Sequence, residues 1–225
     1  MFKSWLTYIF VSALTGSPLL GVLAVLLVWY GGTSFWLGRL PDPTSPFRTW
    51  SRIRRLRAEH GMNPHDVDVR TELGGLLATR SPGEAKSLLE EAVRKCPDLA
   101  QPAFFLGLAH LNLGETEAGR AQIERALSLK PELAFGEPLV RLGDHYAKKG
   151  DARAALAAYE RATDVHCSYA EAWYKAGAAA KAAGDAAKAK AHWRETLAST
   201  DHAPAFKRRQ DRKWRWRAWI ALQAA

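Results

Sequence analysis

Residues 135–168 read FGEPLVRLGDHYAKKGDARAALAAYERATDVHCS, and this stretch decides the fold. Leu139, Leu142, Gly143 and Tyr146 recur at helical spacing. Gly150-Asp151 then breaks the pattern, and Ala155, Ala158, Tyr159 and Ala162 resume it. Gly ends a first helix because it enters the left-handed region freely. The following Asp is a natural N-cap for a second helix. The stretch therefore predicts a helical hairpin, and the same hairpin is written several times along the chain. Gly74, Gly107, Gly143 and Gly177 are 33, 36 and 34 residues apart. Ala92, Ala126 and Ala162 are 34 and 36 apart, with Thr196 another 34 on. Two markers drifting together imply stacked units, each too small to bury its apolar face alone.

The residues at these places resemble those of the tetratricopeptide repeat (TPR) family. Leu142-Gly143, Tyr146, Ala155, Tyr159 and Ala162 give the fullest match. Leu106-Gly107, Ile123, Ala126 and Pro131 carry the pattern in the preceding unit, with His110 at the Tyr place and Gly119 at the first Ala place. The first unit has Leu73-Gly74, Leu77, Ala85, Leu89, Ala92 and Pro97, and lacks one residue in its inter-helix turn. The last has Trp173, Gly177, Ala189 and Trp193 but departs at Ala176, Ala180, Thr196 and Asp201, which predicts the loosest packing of the four. The resemblance implies an all-α solenoid of four repeats at about 66–99, 100–134, 135–168 and 169–203. A capping helix over 204–225 follows. Most of the residues that carry the pattern are thereby assigned to packing between helices.

The rest of the chain is unlike the repeats. Ser4 to Gly38 is a run of 35 residues without Asp, Glu, Lys or Arg. As one straight helix it would be ~52 Å long, well beyond a hydrocarbon core of ~30 Å. Gly16-Ser17-Pro18 divides it. The expectation is a membrane anchor over 1–40, with an interfacial helix at 2–14 and a transmembrane helix at 18–38. Trp29, Tyr30 and Trp36 are placed to lie at headgroup level. Residues 41–65 form a Pro-rich connector and a short basic helix, with Phe47, Trp50, Ile53 and Leu56 every three residues.

The net charge of +9 is concentrated in two blocks. One holds Arg39, Arg48, Arg52, Arg54, Arg55 and Arg57 against Asp42. The other holds Lys207, Arg208, Arg209, Arg212, Lys213, Arg215 and Arg217 against Asp211. These blocks with Lys3 carry +12, so residues 58–206 carry −3. Such blocks suit an anionic membrane surface better than a groove that tracks a phosphate backbone. The arginines after the anchor favour a single pass with the repeats in the cytoplasm, and the compact Ala/Arg-rich chain suggests that the membrane is a bacterial inner membrane.

The residues left for function are those of the first helices that packing does not use. Phe104, Leu108 and Asn112, then Arg141, Asp144 and Lys148, then Tyr174, Lys175 and Lys181 are expected to line a concave groove. Exposed Phe104, Leu108 and Tyr174 beside charges would suit a peptide or helix of a protein partner, unless the chain's own tail covers them. Chaperone-binding TPR proteins hold a carboxylate with Lys and Asn, but the matching places here are Thr71 and Gly75. No catalytic motif is present: the seven histidines are scattered, and no H-E-x-x-H, G-x-S-x-G or phosphate loop occurs. Cys96 and Cys167 have neither C-x-x-C nor metal spacing. Neither a cofactor nor a metal is expected. The layout is similar to membrane-anchored TPR proteins of envelope biogenesis, which implies a non-catalytic scaffold or adaptor in complex assembly. Those that end in a metal domain with paired C-x-x-C motifs differ from this chain. The alternative is a membrane-associated nucleic-acid binder that uses the basic C-terminal helix.

Overall fold

A computed structural model describes residues 45–224, together with Leu19, Val22, Leu23 and Leu26. The chain divides into two compact units, residues 1–48 and 49–225. In the first, the four apolar positions described before residue 45 are helical and exposed. The expected interfacial helix 2–14, transmembrane helix 18–38 and Arg39 otherwise lie outside the described residues. Among the described residues no helix is long and apolar enough to cross a membrane.

The second unit is all helix, with no strand among the described residues. Helix α1, Ser45–Met62, leads into it. Four hairpins follow: α2 Val67–Leu77 with α3 Pro82–Lys95, α4 Ala100–Leu113 with α5 Thr116–Leu129, α6 Glu137–Lys148 with α7 Ala152–Val165, and α8 Ala170–Ala182 with α9 Ala186–Asp201. Helix α10, Ala205–Gln223, closes the end and packs on α9 and α8. Of the stripe on α1, Ile53 and Leu56 are buried, whereas Phe47 and Trp50 are exposed.

The helix ends follow local chemistry. Asp66 Oδ1 accepts from the backbone N–H of Asp68 and Val69 at the start of α2. Asp151 and Asp185 do the same for Ala154 and Lys188. Gly114, at φ +85°, ends α4 while Glu115 N–H returns to His110 O. The first hairpin has no such glycine. Its missing residue leaves α2 short at 11 residues, and Arg80 and Ser81 N–H both fold back on Leu77 O before Pro82 opens α3.

Each hairpin closes where a first-helix glycine meets a large second-helix side chain. A Cβ added at Gly143 would lie 2.5 Å from the Tyr159 ring. Gly74 faces Leu89, Gly107 faces Ile123, and Gly177 faces Trp193 in the same way. The fourth hairpin is not loose. Trp193 is buried against Gly177, and Thr196 is fully buried with its hydroxyl donated to His192 O. A large residue and a locally satisfied hydroxyl thus fill the space left by Ala176 and Ala180.

The 36-residue spacing before Gly143 also has a structural cause. A short 3-10 turn, Leu133–Gly136, sits between α5 and α6, with positive φ at Ala134 (47°), Phe135 (54°) and Gly136 (85°). The turn leaves Phe135 69% exposed, its ring 5.3 Å from that of His166.

Candidate functional site

The inner helices α2, α4 and α6 enclose a cleft of about 570 Å³. Its floor is apolar: Phe104, Phe105, Leu108 and Leu111 of α4, beside Gly75 of α2 and Thr79 of the turn that follows it. Its rim is polar: Asn112, then Glu137, Arg141, Asp144, His145 and Lys148 of α6, with Lys149 at its C-cap. Six of the nine residues expected in a groove meet here, namely Phe104, Leu108, Asn112, Arg141, Asp144 and Lys148.

Phe104 is a correction. It was expected as an exposed anchor but is 3% exposed and belongs to the core. The reason is its place in the repeat. Thr71, Phe104 and Val140 each precede the repeat glycine by three residues, and all three are buried. That column lies on the buried side of the first helices. Phe104 thus closes the floor of the cleft from the core side, whereas the residue after the repeat glycine (Gly75, Leu108 or Asp144) is half-buried and opens onto it.

The polar rim is only partly free. Asn112 Nδ2 donates to Ala78 O at 3.0 Å and so finishes the last turn of α2. Asp144 accepts from the Tyr159 hydroxyl at 2.8 Å and from Lys175. Burial, then Asp144, pushes the Tyr159 pKa far up, so the phenol stays a donor. Arg141 is exposed and pairs with Glu137 of its own helix at 2.7 Å. Lys149 donates to Thr116 Oγ1, which lies 2.9 Å from His145 Nε2. Burial, then Lys149 and Lys148, holds His145 below the ordinary histidine value and favours its neutral form. With Asp144 matched by Lys175, the positive charges of Arg141, Lys148 and Lys149 exceed the negative charge left at the rim.

Tyr174, Lys175 and Lys181 do not line the cleft. Trp214 of α10 lies on Tyr174 with ring centroids 5.5 Å apart. Lys175 is half-buried between Asp144 and Glu171, at 2.8 and 2.6 Å. Lys181 lies 5.9 Å from the centre of the Trp193 ring. The chain's own C-terminal helix therefore occupies the inner side of the fourth hairpin, which excludes Tyr174 as an apolar anchor for a partner.

Sequence reasoning missed Gly75, Phe105, His145 and Lys149. A Cβ at Gly75 would lie 2.7 Å from the Phe105 ring. The doubled glycine Gly74-Gly75, of which packing within the hairpin uses only the first, was the available signal.

The two basic blocks fare differently. On α1, Arg52 pairs with Glu72, Arg57 with Glu84 at 2.8 Å, and Arg55 with Glu59 at 3.4 Å. Arg54 lies over Trp50. Much of this block is thus matched by acids of the first hairpin and of α1 itself. On α10, Lys207 donates to Ser168 Oγ, Arg215 pairs with Asp201, and Lys213 and Arg217 lie over Trp214. Arg208 and Arg209 are exposed. Among the described residues no cluster of His, Cys, Asp and Glu could hold a metal ion.

A family model described as "Tetratricopeptide repeat" matches residues 100–133 and 137–165, the second and third hairpins. No curated protein matches the chain in sequence. Among solved structures, TTC0263, described as a thermophilic TPR protein in Thermus thermophilus, is similar at TM-score 0.59 and 16% identity. That match covers 80% of this chain and 93% of the other. Two crystal structures of MamA are similar at TM-scores 0.57 and 0.56, with 22% and 21% identity. They cover 72% and 70% of this chain and 96% and 85% of theirs.

Proposed function

Since the chain carries tetratricopeptide repeats on an all-helical solenoid, we propose that it is a non-catalytic, membrane-tethered scaffold. Its cleft takes an acidic, partly apolar segment of a protein partner. The observation that carries this reading is the cleft itself. An apolar floor gives shape and affinity, and Arg141, Lys148 and Lys149 select the charge of what enters. Burying the half-exposed Phe105 and Leu108 under a ligand would remove an apolar surface on the inner side of the first three hairpins that α10 does not cover. The tether rests on the uncharged run from Ser4 to Gly38, and the arginines that follow it favour repeats on the cytoplasmic side of a bacterial inner membrane. A role in assembling envelope complexes fits that layout.

A displayed peptide library offers the direct test. Selection on the full chain in detergent should enrich peptides that combine Asp or Glu with Leu, Phe or Trp. Their binding should weaken about tenfold or more, about 1.4 kcal/mol or more, in Arg141→Glu/Lys148→Glu with helicity unchanged. A selection without acidic bias, or binding that survives the reversal, would remove the cleft as the partner site. Resistance of the chain to alkaline carbonate extraction from membranes tests the tether, and release into the supernatant would refute it.

A further inference from the structure

Helix α10 has a second face that neither the solenoid nor the cleft uses. Its inner face is marked by Trp214 and Ala218, both buried, and by Lys207, which reaches Ser168. On the outer side Phe206, Trp216, Trp219 and Ile220 are 69, 52, 48 and 46% exposed. The Trp216 and Trp219 rings stack on each other at 5.4 Å. Helical spacing places Arg208, Arg209, Arg212 and Lys213 on the same outer arc. The helix has one acid, Asp211, which is half-buried and falls by helical spacing on the inner side with Trp214 and Ala218, away from the outer arc. A groove of about 310 Å³ between α9 and α10, lined by Leu197, Arg212, Arg215, Trp216 and Trp219, runs beside the stacked rings. Large apolar groups gathered on one exposed face are a surface that proteins normally cover.

We infer that the outer face of α10 docks on an anionic lipid bilayer, with Trp216, Trp219 and Ile220 at the boundary of headgroups and acyl chains and Arg208 and Arg209 on the headgroup phosphates. Indole rings and arginine side chains are both favoured at that depth, the first as amphipathic plates and the second as long cations on apolar stems. Each basic residue near an anionic surface adds to the attraction. A nucleic acid would also match the charge, but single strands are bound by stacking bases on exposed ring faces. Here each indole already gives one face to the other, and Ile220 adds apolar area that a sugar–phosphate backbone leaves uncovered. The surface is separate from the cleft, so this inference stands or falls independently of the partner site.

The test uses the full chain with Gln223→Cys, Cys96→Ser and Cys167→Ser, labelled at residue 223 with an environment-sensitive fluorophore. Residue 223 lies on the outer arc next to Trp219 and Ile220, so the dye reports on α10 alone, even if the N-terminal segment holds the chain to every vesicle. Vesicles of equal parts phosphatidylcholine and phosphatidylglycerol should raise the emission severalfold and shift it to the blue. Pure phosphatidylcholine should change it little. Salt at about 1 M, where charges are screened beyond ~3 Å, should reverse most of the change. Arg208→Glu/Arg209→Glu should abolish it, and Trp216→Ala/Trp219→Ala, at exposed positions, provides a second variant expected to lose most of it. Equal response to neutral and anionic vesicles overturns the inference. So does a response that single-stranded DNA or RNA reproduces without lipid, or one that appears with protein concentration alone and marks a second copy on this face.

Discussion

The second and third hairpins and the fourth are built on one plan yet end in opposite states. Between α4 and α6 the inner surface stays open as a cleft with a basic rim. On α8 the same surface is closed, because Trp214 covers Tyr174 and Lys175 is pinned between Asp144 and Glu171. The contrast shows that repeat position sets where a side chain points, while the next element in the chain decides whether it remains available. Phe105, Arg141 and Lys175 each stand two residues before the repeat glycine, and only the first two reach the cleft. Closure also moves exposed apolar area elsewhere. By burying one face of α10, the solenoid leaves Trp216, Trp219 and Ile220 on the other.

Trp214→Ala would break the contrast most strongly. It removes the plug from Tyr174 and leaves a large void against α8, at a cost of about 3 kcal/mol. Denaturant melting of the full chain should show that loss, while peptide binding in the cleft stays unchanged. Gly143→Leu attacks the open side instead. The new side chain would collide with the Tyr159 ring, and ~1–3 kcal/mol of stability should be lost. Here an unchanged melting temperature would mean that α6 and α7 do not cross at this point. Asp144→Ala sharpens the boundary between the two regions. It strips the Tyr159 hydroxyl and Lys175 of their acceptor, at ~1–2 kcal/mol. It also makes the rim more positive, so acidic peptides should bind more tightly in calorimetry despite the weaker fold.

The smallest effect is that of pH. His145 and His166 are both held below the ordinary value of 6.5, chiefly by burial and further by nearby lysines. The unfolded chain therefore takes up protons first as pH falls. Their contribution to stability is complete above about pH 6.5 and is lost as pH drops through the folded values. His145→Gln should flatten that part of the stability profile. An unaltered slope would show that His145 titrates normally.

How legible was this in the sequence? The helical hairpins follow from the spacing of Gly74, Gly107, Gly143 and Gly177, because close helix crossing admits no side chain at those points. Asp151 and Asp185 announced helix starts for an equally local reason. The cleft was legible only in part. Phe104 looks like a surface anchor until the packing of adjacent units is known, since contacts between repeats carry no short-range signature. Ion pairs that join hairpins, such as Lys175 with Asp144 across 31 residues, are invisible for the same reason. The mixed charge and aromatic pattern of α10 could not be resolved into faces before Trp214 and Ala218 fixed which side points inward.

The most direct measurement of the central claim is a matched pair of charge reversals read against one selected acidic peptide. Arg141→Glu/Lys148→Glu acts at the open cleft, and Lys181→Glu acts at the closed fourth hairpin. The account predicts that the dissociation constant rises about tenfold or more in the first variant and stays within about twofold of the starting value in the second. Equal losses in both, or a larger loss in the second, would contradict it and place the partner on the fourth hairpin.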